Sequence, residues 1–211
     1  MSNENETVWV SDSMGDTRLV KHFKADLSIS DPNLAIEVKR KNEAGEPLDE
    51  ELLPKEFFYI YRDKKEKRIN PGFFNAGGFH CVSAAFADVL RRFDLGKGAL
   101  YPVELFQHDR ETPVEGEYFC INFGNQKQAF VPEYSPAAQK PHPTQDMWKL
   151  PFVPKDYDIS VTKTALEGPD LWVDPLVRKA LFLSDPLAKA LKEAKLTRQF
   201  KLRKCRMIRV N

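Results

Sequence analysis

Cysteine is scarce and scattered: Cys81, Cys120 and Cys205 are the only thiols in 211 residues, and none stands in a Cys-x-x-Cys spacing. Three such thiols cannot build a disulfide framework, and with four histidines no run offers the four ligands of a structural zinc. No metal or cofactor is expected, and a reducing compartment fits this usage. Neither sign of charge dominates. Against 32 basic residues stand 31 acidic ones, a formal charge of +1, which argues against a protein built to hold phosphate backbones, so no nucleic-acid partner is expected. No apolar run approaches membrane-spanning length, and the opening MSNENETVWV has neither the basic head nor the apolar core of a secretory signal. The expectation is a cytoplasmic protein with no membrane partner. The pieces NAGGF, LGKG and NFGNQ match no phosphate-cradling glycine pattern. No pair of carboxylates stands in an apolar setting that would split their proton affinities for acid and base work.

What is there begins with HCVSAAFADVLRRFDLGKGALYPVELF, residues 80–106. His80 and Cys81 suggest a nucleophile and its base, but neighbours in an extended chain point to opposite faces. The base would have to be His22, His108 or His142. A Cys-dependent hydrolase of this kind is the competing reading. The rest of the stretch reads as structure. Ser83 has the chemistry of a helix N-cap; Ala85, Phe86, Val89, Leu90 and Phe93 make one apolar stripe, with Asp88, Arg91 and Arg92 elsewhere. Gly96 and Gly98 stop the helix, and ALYPVELF is a strand that Pro102 limits to an edge or a bulge. The pattern recurs: residues 82–95 lie without gaps over residues 183–196, so that Ser83 meets Ser184, Ala87 meets Ala188 and Leu90 meets Leu191. Pro186 falls in the first turn of the second copy, where a missing amide hydrogen costs nothing. CRMIRV then supplies its strand, giving two helix-then-strand units.

Elsewhere TVWV and LAIEVK read as short strands broken by Gly15, Asp31 and Pro32, and FFYIYR as a strong one. RINPGFFNAGG carries Asn-Pro and Gly-Gly turn signals. VELFQ and EYFCINF make a hairpin across the polar HDRETPVEG. Residues 132–154 hold six of the fifteen prolines and little periodicity, so they form a long loop or crossing. The fold class is α+β, mostly antiparallel sheets with two Ser-capped amphipathic helices, possibly in two lobes. The divisions are 1–131, a β-rich lobe with the first unit; 132–154, the proline-rich crossing; and 155–211, with the second unit, although one continuous domain is also possible.

Three features are candidates for recognising a partner. From Lys195 to Arg209 run seven basic residues and no acid, either a nucleic-acid patch, a solvated strand face, or a face for an acidic protein. The stretch from Glu43 to Glu56, six acids against one lysine, could sit opposite it. Trp148 in DMWKLP and Trp172 in PDLWVDP are either core or interface; Asp170 and Asp174 flank Trp172 and would supply a polar rim.

The series VSAAFADVLRRFDLGKGALYPVELF, GEYFCINFGNQKQAFVPE, MWKLP, GPDLWVDP and LFLSDPLAKALKEAKL resembles immunity protein family eleven, a bacterial family earlier catalogued as a domain of unknown function. The resemblance covers roughly residues 55–210, in the family's order, and is most specific in the two Ser-led helices and the Gly-Pro-Asp-Leu-Trp segment. It implies a cytosolic protein, encoded beside a polymorphic toxin, that binds and blocks that toxin in the cell that makes it. It implies no catalysis, and the family brings no active-site residues. On this reading the cognate toxin domain is the partner, Trp148 and Trp172 are its anchors, and Asp170 and Asp174 are the rim.

Overall fold

Runs of aromatic and β-branched residues between turn residues give thirteen short strands, and three- and four-residue apolar spacing gives four α-helices, among the residues that the computed structural model describes, 7–69 and 72–209. The strands are β1 (Val8–Ser11), β2 (Val20–Lys21), β3 (Phe23–Ala25), β4 (Glu56–Tyr59), β5 (Phe73–Ala76), β6 (Phe79–Ser83), β7 (Ala99–Phe106), β8 (Tyr118–Asn122), β9 (Ser160–Val161), β10 (Leu171–Trp172), β11 (Leu181–Ser184), β12 (Arg203–Lys204) and β13 (Arg206–Met207). The helices are α1 (Asp26–Ser30), α2 (Pro32–Glu43), α3 (Ala84–Leu90) and α4 (Asp185–Glu193). The fold is α+β, and most strand pairs are antiparallel.

One sheet has the order β2-β5-β6-β8-β7-β4-β3. Its first and last members are one stretch of chain interrupted only by His22, whose carbonyl still accepts from Ile60 N at 2.9 Å. The sheet therefore closes into a barrel, which leaves no free edge. Alternate residues fill it: Phe23, Phe57, Phe74, Phe79, Cys81, Leu105, Tyr118 and Cys120 form one buried cluster. Leu34 and Val38 of α2 pack on the same cluster, and the buried Asn42 closes that end, donating to Ile121 O at 2.8 Å and accepting from Phe123 N at 3.0 Å. The hairpin β7–β8 forms as expected. Pro102 lies in a strand paired on both sides, but β4 joins β7 only from Glu104 onward, so at the proline one flank is free and the missing N–H costs no ladder bond.

The second sheet, β10-β11-β1-β12, is antiparallel. It is covered on both faces, which explains its unbroken apolar runs. Trp9, Leu171, Leu181 and Leu183 face a core shared with α3, α4 and the outer wall of the barrel at Phe73, Val82 and Ile121. Val8, Val10, Trp172 and Phe182 face a third core under residues 129–161. Because β1 belongs to this sheet, the expected division at residues 131 and 155 is crossed by the chain's first described strand.

Four expectations change. LAIEVK is not a strand but the middle of α2: Asp31 accepts from Leu34 N at 3.0 Å as its N-cap and Pro32 stands in its first turn, so the two residues read as breakers are a helix start. Of the two serine caps, only Ser184 makes its side-chain bond, from Leu187 N; Ser83 occupies the N-cap position of α3 without one. The stripe of α3 buries Ala87 in place of Ala85, which is exposed. CRMIRV is a strand only at β13, which pairs with β9, while β12, which pairs with β1, lies just before it; its Val210 lies outside the described residues. So do the Asn70-Pro71 turn signal and the first six residues. Residues 132–154 hold one 3-10 turn and isolated bridges but no named strand, in keeping with a crossing. Among the described residues no helix is long and apolar enough to cross a membrane.

Candidate partner-binding surface

The four residues expected at an interface are placed unevenly. Trp172, in β10, is fully buried in the third core; its indole stacks on Phe182 at 5.9 Å and lies under the Lys127 Nζ at 3.6 Å. Burial pushes the Lys127 amine down to about 8. A side chain with no exposed surface has nothing to offer a partner, so Trp172 is a core residue. Asp174 is likewise buried, and both oxygens are taken: Oδ2 accepts from Ala129 N at 2.8 Å and Phe130 N at 2.7 Å, and Oδ1 from Leu176 N at 3.0 Å. Its carboxylate ties two loops together and forms no rim. Asp170 is half-buried, accepting from Ser184 Oγ and from Asp94 N at 2.9 Å, and so joins the loop after α3 to the start of α4. Trp148 is half-buried against Phe130, with Lys140 Nζ 5.5 Å from its ring centre.

The thiols and imidazole that suggested a nucleophile are in the interior. His80 and Cys81 do point to opposite faces of β6. His80 is buried between Phe73 and Phe123, ring centres 5.6 and 5.5 Å away, and its Nε2 lies 3.4 Å from Met14 O. Burial pushes it down to about 4. Cys81 faces Cys120 inside the barrel, and burial pushes its thiol well above the ordinary range. His22, His108 and His142 are all exposed, whereas Cys81 and Cys120 are fully buried and Cys205 nearly so. A thiolate nucleophile needs an activating base and access to substrate, and this arrangement supplies neither. Among the described residues no group of three or more His, Cys, Asp or Glu is placed to hold a metal ion.

A shallow cleft is lined by Gly45, Gly96, Gly124 and Asn125. Asn125 is saturated within the chain, its two Nδ2 hydrogens shared among Leu95 O, Phe123 O and Leu171 O and its Oδ1 accepting from Lys97 N. At Gly45, φ is +78° and a Cβ would lie 2.2 Å from Val173 Cγ2, so the glycine lets two turns touch. The cleft is the outside of a packed junction.

The exposed apolar surface that stands out lies on the proline-rich crossing. Phe152 is 93 % exposed and Val153 65 %, between Pro151 and Pro154; Tyr157 and Met147, nearby in the chain, are exposed as well. Two large apolar groups in water are unusual unless something covers them. This tip is held rigidly. On one side the backbone N–H of Trp148 donates to Leu176 O and its backbone carbonyl accepts from Arg178 N, each at 2.7 Å, while Lys149 and Gln139 exchange backbone bonds of 2.9 Å. On the other, Arg203 Nε donates to Pro154 O at 2.7 Å, Lys204 N to Asp156 Oδ1 at 2.9 Å and Tyr157 N to Lys204 O at 2.7 Å. Tyr157 sits at φ +70°, a costly conformation for a non-glycine residue that these bonds impose. Around the tip Lys149 and Lys155 are exposed cations, and the carboxylates of Asp156 and Asp158 bring negative charge while accepting from the amides of Lys204 and Lys155. The surface is an apolar projection ringed by charges of both signs. Sequence reasoning chose Trp148, five residues from this tip's end, and missed Phe152. The available signal was an apolar pair bracketed by prolines in a segment without periodicity.

Part of the basic tail is engaged within the chain. Arg203 is spent on the carbonyls of Pro154 and Leu202, and Lys201 pairs with Asp16 at 2.8 Å and Asp12 at 3.5 Å. In the acidic stretch Glu43 pairs instead with Lys179, at 3.5 Å. No protein-family model matches the chain, and no curated protein matches it.

Proposed function

We propose that this is an immunity-type binding protein that holds a cognate toxin domain by occlusion in the cytoplasm of the cell producing it, and that it is not an enzyme. The resemblance in sequence supplies the class. The observation that carries it is the rigid presentation of Phe152, with Val153 and Tyr157, between two anchored ends of the crossing. Apolar anchors fixed before binding lose little entropy on docking and are the kind of group that dominates interface energy. Trp172 and Asp174 give up the roles of anchor and rim, and Phe152 and Tyr157 take over as anchors. The exposed Lys149, Lys155 and Asp156 fit a partner whose contact surface carries both signs of charge around an apolar centre, since complementary charge speeds encounter and sets register. A toxin inside its own producer must be held nearly completely, which asks for a dissociation constant on the order of nanomolar and a buried area of roughly 1,600 Å².

The test is co-expression with the toxin domain encoded beside the gene. Cells should survive with this protein and die without it, through a one-to-one complex. Phe152→Ser should abolish protection while leaving the melting curve unchanged. Protection without a physical complex, or by repair of the toxin's damage, would sink the occlusion mechanism.

A further inference from the structure

We infer that Cys81 and Cys120 form an oxidisable dithiol, a modification site inside the barrel wall that takes a low-molecular-weight disulfide as its co-reactant. The register places the two residues directly opposite each other on β6 and β8. Three positions along the same ladder, Ala84 N donates to Glu117 O at 2.9 Å. Hydrogen-bonded and non-hydrogen-bonded pairs alternate in an antiparallel ladder. Pair 84/117 is therefore of the first kind and pair 81/120 of the second, in which Cα atoms stand about 4.5 Å apart and side chains lie closest. That separation is at the short end of the range that a disulfide spans, about 4.4–6.8 Å. Both side chains point into the same interior cluster and both cysteines are free. Cys205 is in a different core and has no thiol opposite it.

Both cysteines are fully buried, and exchange needs a thiolate that an apolar interior disfavours. The pair therefore stays reduced in the closed barrel and reacts when β6 and β8 part locally. In the first step one thiolate attacks the co-reactant disulfide, breaking its S–S bond, forming a mixed disulfide and releasing one small thiolate, which takes up the proton lost. In the second the other cysteine attacks the mixed disulfide, forming the Cys81–Cys120 bond and releasing the second small thiol. Two protein thiols are oxidised and one disulfide is reduced to two thiols.

The experiment exposes the full-length protein to oxidised glutathione at a urea concentration just below its unfolding transition, then removes both and records intact mass without reductant. The expected product is lighter by about two hydrogens, keeps one titratable thiol, yields a linked peptide pair containing Cys81 and Cys120, and melts higher than the reduced protein because its unfolded state is constrained. Cys120→Ala should give instead a single glutathione adduct on Cys81. Stable glutathione adducts on both cysteines of the native sequence, a link involving Cys205, an unchanged mass, or a linked product that no longer refolds would each overturn the inference.

Discussion

The indole Nε1 of Trp9, in β1, donates to Oδ1 of Asp185, the first residue of α4, at 2.8 Å, with both residues buried. One bond thus ties the start of the described chain to the second Ser-led helix, and Lys189 holds the other oxygen of Asp185 at 2.8 Å. Asp185→Ala leaves a buried indole N–H without its acceptor, a loss of about 1–3 kcal/mol. The urea midpoint should fall with the slope unchanged. A cycle with Trp9→Phe should show coupling of at least ~0.5 kcal/mol; additive effects would mean that the bond contributes nothing.

Trp172→Ala should destabilise by about 3–5 kcal/mol, the range for emptying a large core site. Its effect on partner binding should follow the unfolded fraction and vanish when folded protein is assayed. If Trp172→Ala melts normally yet fails to bind, the core assignment of this residue is wrong.

His80 sets an acid limit. Its folded value of about 4 lies below the ordinary 6.5, so between these values the unfolded chain takes up a proton that the fold refuses. Stability is full above about pH 6.5 and declines towards pH 4, by on the order of 3 kcal/mol. Asp16, held well below the usual carboxylate range by the Arg18 guanidinium, adds its own loss only as pH falls below its ordinary 3.8. Urea midpoints at neutral pH and at about pH 5 should differ for the native sequence and converge for His80→Met. A slope that survives this replacement belongs to other groups.

No salt-sensitive nucleic-acid binding is expected of the basic tail. A phosphate-binding element would show an affinity falling with salt by a slope near the number of phosphates neutralised. Polarisation titrations of single-stranded RNA and duplex DNA should stay flat to micromolar protein at physiological salt. Retention that Arg203→Ala and Arg206→Ala abolish would overturn this.

The sequence by itself determined what local chemistry decides. Apolar spacing located α3 and α4, Ser184 and Pro186 marked the start of α4, and the polar run between VELFQ and EYFCINF fixed the hairpin, because caps, periodicity and turns act within a few residues. Opposite facing of His80 and Cys81 followed from strand geometry alone. LAIEVK failed on the same level: its apolar residues suit a strand or a helix, and the Asp31-Pro32 cap that settles the matter was read as a break. The rest was decided by contacts distant in the chain. The barrel closes because β2 and β3 find β5 and β4 on either side of His22, and β1 reaches across to β11 and β12; nothing local encodes either pairing. Burial was the last thing to be fixed. Trp172 and Phe152 are both apolar aromatics with prolines close by in the sequence, and only the tertiary structure lays Lys127 and Phe182 over the one while leaving the other in water.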